Sequence, residues 1–169
     1  AFTEYESEYG RHRQYVEENE LIDGSKFNTS NDFFRHIIQS VPTVRSEAIF
    51  YAPSNISRKP DGDIGDVSTN FAQACAKGEV GFLYIDSPTS KDGAPLIAAP
   101  LYDTKGRFDT EIYKGKAVVL KTDGSVESLP IDPVTGKVYI DVNGKKVDMF
   151  SAENPYFREA PVIKYPEPK

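Results

Sequence analysis

Three aspartates on a glycine-rich turn come closest to the spacing of a metal site. The segment DGDIGD occupies residues 61–66, and carboxylate oxygens are the ligands that Ca²⁺ prefers. The segment is not an EF-hand, because such a loop ends in a bidentate Glu and the corresponding residue here is Ala72. Two interpretations stay open: a Ca²⁺ site formed by Asp61, Asp63 and Asp66, or a solvated acidic loop whose aspartates stabilise the turn.

The other residues capable of chemistry show no pattern of a catalytic site. His12 and His36, the two histidines, have no spacing that resembles a zinc site, and we interpret both as partly buried or surface side chains. Cys75 lies in an apolar, alanine-rich stretch, which favours a buried, inert thiol over a reactive or intermolecular one. No Gly-x-Ser-x-Gly, Walker-type or Cys-x-x-Cys motif is present, so we predict no catalytic residues, no cofactor-binding residues and no enzymatic activity.

Composition narrows the classes of protein further. The chain has 169 residues, of which 38% are hydrophobic and 27% charged, as in a single soluble domain rather than a disordered or membrane-spanning chain. The formal net charge is −6, which has the wrong sign for binding phosphate backbones or anionic lipid. We therefore predict no nucleic-acid partner.

Two helices are predicted before any strand. In residues 1–20, aromatic and apolar side chains recur at spacings of three and four, which predicts an amphipathic helix. The stripe consists of Phe2, Tyr5, Tyr9, His12 and Val16. A second helix is predicted from the N-cap sequence at residues 29–32 through Ile38, with Pro42 ending it. Residues 53–68 carry the Pro, Gly, Asn and Asp content of a loop.

Short strand-like runs follow. Strands are predicted near residues 81–85 and 95–99, and hairpins are predicted at Asp123-Gly124 and Asn143-Gly144, because such pairs tolerate the positive φ of tight turns. We expect one domain over residues 1–169, with an antiparallel sheet over 80–150 and an extended, proline-rich tail over 155–169. Helices first and strands afterwards predict an α+β fold, with the N-terminal amphipathic helix packed on the antiparallel sheet.

Three runs of sequence resemble a known family. AFTEYESEYG at residues 1–10 and NDFFRHII at residues 31–38 resemble the start of the periplasmic part of type IV pilins and type II secretion pseudopilins. GKAVVLKTDGSV at residues 115–126 is similar to a hairpin of pilin-like proteins. The resemblance implies a pilin-like fold, and some members of the family hold Ca²⁺ in an acidic loop.

The resemblance also implies a function. The protein would be a structural subunit, a pilin or pseudopilin, of a bacterial type IV pilus or type II secretion pseudopilus. Its partners would be other pilin or pseudopilin subunits, with which it assembles through its N-terminal helix into a filament in the periplasm or at the cell surface. Before assembly it would be anchored in the inner membrane and cleaved by a prepilin peptidase. We accordingly expect a short basic leader and about 20 apolar residues upstream of Ala1.

An alternative function is a secreted or surface-anchored binding module, such as an adhesin that recognises glycans or host proteins. Tyrosine and phenylalanine are abundant, and their rings stack on sugars. Most of them fall at core spacing, and those predicted to pack inside include Phe33, Phe34, Phe50, Phe82 and Tyr84. The pair Tyr156-Phe157 in the tail has no such assignment from its spacing.

Overall fold

The computed structural model describes residues 27–87 and 91–169. Within them the α-helix is α1 (Ser30–Ser40), and short 3-10 helices cover Glu47–Phe50 and Val67–Thr69. The strands are β1 (Leu83–Asp86), β2 (Pro95–Ala99), β3 (Lys116–Lys121), β4 (Val126–Pro130), β5 (Tyr139–Val142), β6 (Lys145–Asp148) and β7 (Val162–Lys164). Five strands form an antiparallel sheet in the order β4-β3-β2-β1-β7, and β5 pairs with β6 in a second sheet.

Helix α1 begins and ends where its sequence predicts. Thr29 is the N-cap, and its hydroxyl accepts from the backbone N–H of Asp32 while the Asp32 carboxylate accepts from the backbone N–H of Thr29. This reciprocal capping satisfies two donors that a helix N-terminus otherwise leaves unpaired. At the other end Val41 is the C-cap, one residue before Pro42, and the Arg45 guanidinium donates to three carbonyls of the last turn and the following loop.

Both predicted hairpins form, but in different sheets. Asp123 and Gly124 turn the chain between β3 and β4, with Gly124 at φ +80° and the Asp123 carboxylate accepting from the Ser125 N–H at 2.9 Å. Asn143 and Gly144 turn it between β5 and β6. The prediction of antiparallel pairing is therefore confirmed for each hairpin, although the second one stands apart from the main sheet.

The predicted fold class is wrong. The regular secondary structure of the described residues is mostly antiparallel sheet, in one five-stranded and one two-stranded unit, with only one short α-helix. An N-terminal helix packed on a sheet does not describe this arrangement, because the helix that contacts β1 is α1, an internal element. The helix predicted over residues 1–20 lies outside the described residues. The last 15 residues, predicted as an extended tail, supply β7, which pairs with β1 at the sheet edge.

Strand alternation divides the interior into two cores. Neighbouring residues of a strand point to opposite faces of a sheet, and Tyr84 packs with α1 while Leu83 and Ile85 belong to a separate cluster. The helix-side core is centred on α1, where the rings of Phe33 and Tyr84 stack with centroids 3.7 Å apart. The opposite core includes Met149, so it lies beside the two-stranded sheet.

The described residues contain no helix whose length and hydrophobicity would allow it to span a membrane.

Strand β4 forms one edge of the five-stranded sheet and ends in proline. The backbone groups of Ser125 and Ile131 form hydrogen bonds with β3 and with the residue directly before it. The alternate residues between them, Val126, Ser128 and Pro130, therefore direct their backbone groups outward. Since proline has no N–H, Pro130 removes one of the three outward donors that another strand would need.

Restoring that donor is expected to promote self-association. Pro130→Thr adds an outward N–H and a residue with high strand propensity, so concentration-dependent oligomers should increase in light scattering after size-exclusion chromatography. Pro133→Thr is the matched control, because Pro133 is exposed in a turn rather than a strand. Equal association of the two variants would contradict a protective role for Pro130.

Candidate functional site

The three aspartates of the predicted Ca²⁺ site do not converge on one point. Among the described residues, the acidic side chains close enough to share a cation are Glu47, Asp61 and Glu79, each with one carboxylate oxygen within 4.8 Å of the others. Asp63 and Asp66 are outside this group. Of the three predicted aspartates, only Asp61 therefore belongs to the acidic group. Its other two members are glutamates that are distant from it in sequence.

The predicted aspartates instead hold the backbone of their own loop. One Asp61 oxygen accepts from the Asp63 N–H at 2.9 Å, and one Asp63 oxygen accepts from the Gly65 N–H at 3.0 Å. Asp66 caps the 3-10 helix that follows it. These short-range contacts are the turn-stabilising role that remained open beside the Ca²⁺ interpretation.

Capping also changes the acidity of Asp66. The Ser68 hydroxyl donates to its carboxylate at 2.6 Å, and the Thr69 N–H donates at 3.0 Å. Because both donors stabilise the charged form, they hold the pKa of Asp66 below its ordinary value, the Ser68 hydroxyl contributing most. This carboxylate stays ionised and engaged with its own helix end.

Glu47 is the most deeply engaged member of the acidic group. It sits at the first position of its 3-10 helix, directly after the N-cap Ser46, and only 1% of its surface is exposed. One carboxylate oxygen accepts from the Gly62 N–H at 3.0 Å and the other from the Cys75 N–H at 2.8 Å. Its side chain thus ties two loops that are remote in sequence.

Glu79 makes a parallel set of contacts. Its side chain is fully buried, and its oxygens accept from the backbone N–H of Asp61 at 3.3 Å and of Ala76 at 3.0 Å. The Arg58 guanidinium forms an ion pair with it at 2.9 Å. Glu47 and Glu79 together hold the Asp61–Gly62 turn on one side and the Cys75–Ala76 segment on the other.

Burial and mutual repulsion shape the electrostatics of this pair. The pKa of Glu79 is raised above its ordinary value, first by burial and second by the nearby Glu47 carboxylate. The Asp61 N–H and the Arg58 guanidinium act in the opposite direction but do not cancel the shift. The folded protein therefore binds a proton at Glu79 more readily than the unfolded chain does.

The raised pKa of Glu79 determines the direction in which its contribution to stability changes with pH. Because the pKa of Glu79 is raised on folding, its favourable contribution is complete below the ordinary value of 4.5 and is lost as the pH rises through the folded value. Glu79→Gln cannot titrate. We expect the free energy of unfolding of the native protein, relative to this variant, to fall as the pH rises from 4.5.

Urea unfolding of both proteins at matched pH values measures this difference, because titrating groups remote from Glu79 contribute equally to both proteins. A relative stability that stays flat, or that rises with pH, would contradict the raised pKa.

The acidic group is chemically suited to two roles. Three carboxylates within reach of one point can supply hard oxygen ligands to a cation such as Ca²⁺. All four oxygens of the two glutamates, however, already accept from backbone N–H groups, and Arg58 brings a positive charge to the same place. A structural role as a buried acceptor cluster thus needs no added ion.

We expect Ca²⁺ to leave the stability of the protein unchanged. Saturating a folded-state site at about one hundred times its Kd would add about 2.7 kcal/mol, which thermal unfolding detects readily. Melting temperatures in millimolar CaCl₂ and in EDTA should coincide, for the native protein and for Asp61→Asn alike. A rise with Ca²⁺ that Asp61→Asn abolishes would instead assign a calcium site to this group.

The other chemistry-bearing residues lie in the core. His36 is buried on α1 beside the ring of Phe27, and burial lowers its pKa to about 4. Cys75 is fully buried, and burial, followed by the charge of Glu47, raises the pKa of its thiol. A buried, protonated thiol agrees with the prediction of an inert Cys75, whereas His36 is more deeply buried than the predicted partly buried or surface side chain. His12 lies outside the described residues.

The aromatic residues considered for sugar binding are mostly internal. Four of the five predicted core aromatics are buried, and Phe82 is partly buried against the helix-side core. In the tail, Phe157 is buried and Tyr156 is partly buried against the opposite core. The predicted packing of the five core aromatics is confirmed, and neither they nor the two tail rings form an exposed stacking platform.

Comparisons of the chain with protein-family models, with curated proteins and with solved structures each returned no significant match.

The sequence contains little that predicts the clustering of the two buried glutamates. Glu47 follows Ser46 and Glu79 follows Gly78, and neither glutamate belongs to an acidic run or a recognisable motif. The one available signal is local: Ser46 before Glu47 is an N-cap pattern, and it places Glu47 at the start of a helical turn. The convergence itself depends on contacts across 15 to 28 residues of chain.

Proposed function

We propose that the protein is a structural subunit, a pilin or pseudopilin, of a type IV pilus or type II secretion pseudopilus. The observation that carries the proposal is the hairpin at residues 115–126. Its sequence resembles a pilin-like hairpin, and the segment forms β3, the Asp123-Gly124 turn and the start of β4. The resemblance in sequence therefore coincides with the local structure that it implies.

A second part of the resemblance supports the same function. The NDFFRHII run at residues 31–38 lies within α1, and its Phe33 ring stacks on Tyr84 of β1. Two separated runs that resemble the family are thus joined through one sheet, since β1 and β3 both pair with β2. The proposal concerns assembly into a filament through residues 1–20, the predicted N-terminal helix, which lies outside the described residues.

Under this proposal the partners are other pilin or pseudopilin subunits. The protein would be held in the inner membrane before assembly and would act in the periplasm or at the cell surface afterwards. Surface residues rather than a catalytic cleft would then carry its function, and the stability of its sheet would matter more than the reactivity of any side chain.

Processing in the native host tests the proposal. An epitope inserted between Asn143 and Gly144 should be tolerated, because both residues are exposed at the tip of the β5–β6 turn, where insertions are commonly accepted. The tagged protein, expressed from its complete gene, should appear as a shorter mature form in the native strain. A strain without prepilin peptidase should accumulate the longer precursor.

A secreted protein with a conventional signal peptide serves as the control and should be processed equally in both strains. The same mature form of the tagged protein in both strains would contradict the pilin proposal and would favour a conventionally exported binding module.

A further inference from the structure

We draw no further inference here: the strongest candidate, the carboxylate cluster of Glu47, Asp61 and Glu79 between the 53–68 loop and the Cys75–Ala76 segment, is an acidic cluster whose buried glutamate oxygens already have backbone or Arg58 partners, and nothing else in the described part of the chain points to a ligand there.

Discussion

Glu47→Ala is expected to lower the free energy of unfolding by about 2–4 kcal/mol, because it removes the acceptor of two backbone N–H groups. One of these, the Cys75 N–H, is buried, and the other, the Gly62 N–H, is partly buried. An unpaired buried donor loses its hydrogen bond to water without replacement, which costs more than an ordinary hydrogen bond contributes. Relief of repulsion between Glu47 and Glu79 offsets part of the loss.

Urea unfolding followed by circular dichroism measures this effect. Glu47→Gln retains one acceptor oxygen of nearly the same shape, so its loss should be smaller than that of the alanine variant. Glu153→Ala is the matched surface control: its side chain is 61% exposed and pairs with Lys145, and surface pairs of this kind contribute about 0–1 kcal/mol. Equal stability of Glu47→Ala and Glu153→Ala would contradict the role of Glu47 as a buried acceptor.

Phe33→Ala should strongly destabilise the protein through the helix-side core, with an expected loss of about 3–5 kcal/mol in the free energy of unfolding. Phe33 is fully buried, stacks on Tyr84 and makes edge contacts with Phe27 and Phe34. Removing its ring leaves a cavity between α1 and β1 that close-packed neighbours fill only in part. The loss of stability therefore has two parts: apolar surface of the ring that is no longer buried, and contacts with its neighbours that are no longer made.

The same unfolding experiment tests this expectation with two further variants. Phe33→Leu keeps most of the side-chain volume and should retain more stability than Phe33→Ala. Val126→Ala is the control, because Val126 is 65% exposed at the sheet edge and surface changes of this kind are usually within about 0.5 kcal/mol. A Phe33→Ala variant as stable as Val126→Ala would contradict the packing of α1 on the sheet.

Local features of the fold followed from the sequence because short-range chemistry determines them. The Thr29–Asp32 capping pair, the stop before Pro42 and the Asp123-Gly124 and Asn143-Gly144 turns each depend on residues within about one turn of chain. The five core aromatics were also predictable, since their spacing matched a helix face or a strand. The predictions of the cap, the helix end and the two turns each concern residues that are neighbours in sequence.

The overall arrangement did not follow, because it depends on long-range pairing. No local pattern distinguishes a hairpin that joins the main sheet from one that forms its own, as β5 and β6 do. The pairing of Ile163 with Ile85 spans most of the distance from the first strand to the end of the chain, and the proline-rich surroundings of β7 favoured an extended tail. The predicted fold class was therefore wrong, although both hairpins were predicted correctly.

The acidic site shows the same division between local and distant contacts. The DGDIGD segment was correctly predicted to lie in a loop, and its aspartates accept hydrogen bonds from backbone N–H groups of that loop. The carboxylates that actually cluster come from Glu47 and Glu79, which reach the loop across 15 and 18 residues. Only the folded arrangement brings them together.

The recovery of the protein in filaments tests the central proposal most directly. Filaments sheared from the surface, or pseudopili isolated through another subunit, would be prepared from the native host carrying the epitope in the Asn143-Gly144 turn. We expect the epitope to co-purify with the filaments and to be labelled on them by immunogold electron microscopy. Recovery only as free protein, from cells that assemble normal filaments, would contradict a role as a filament subunit.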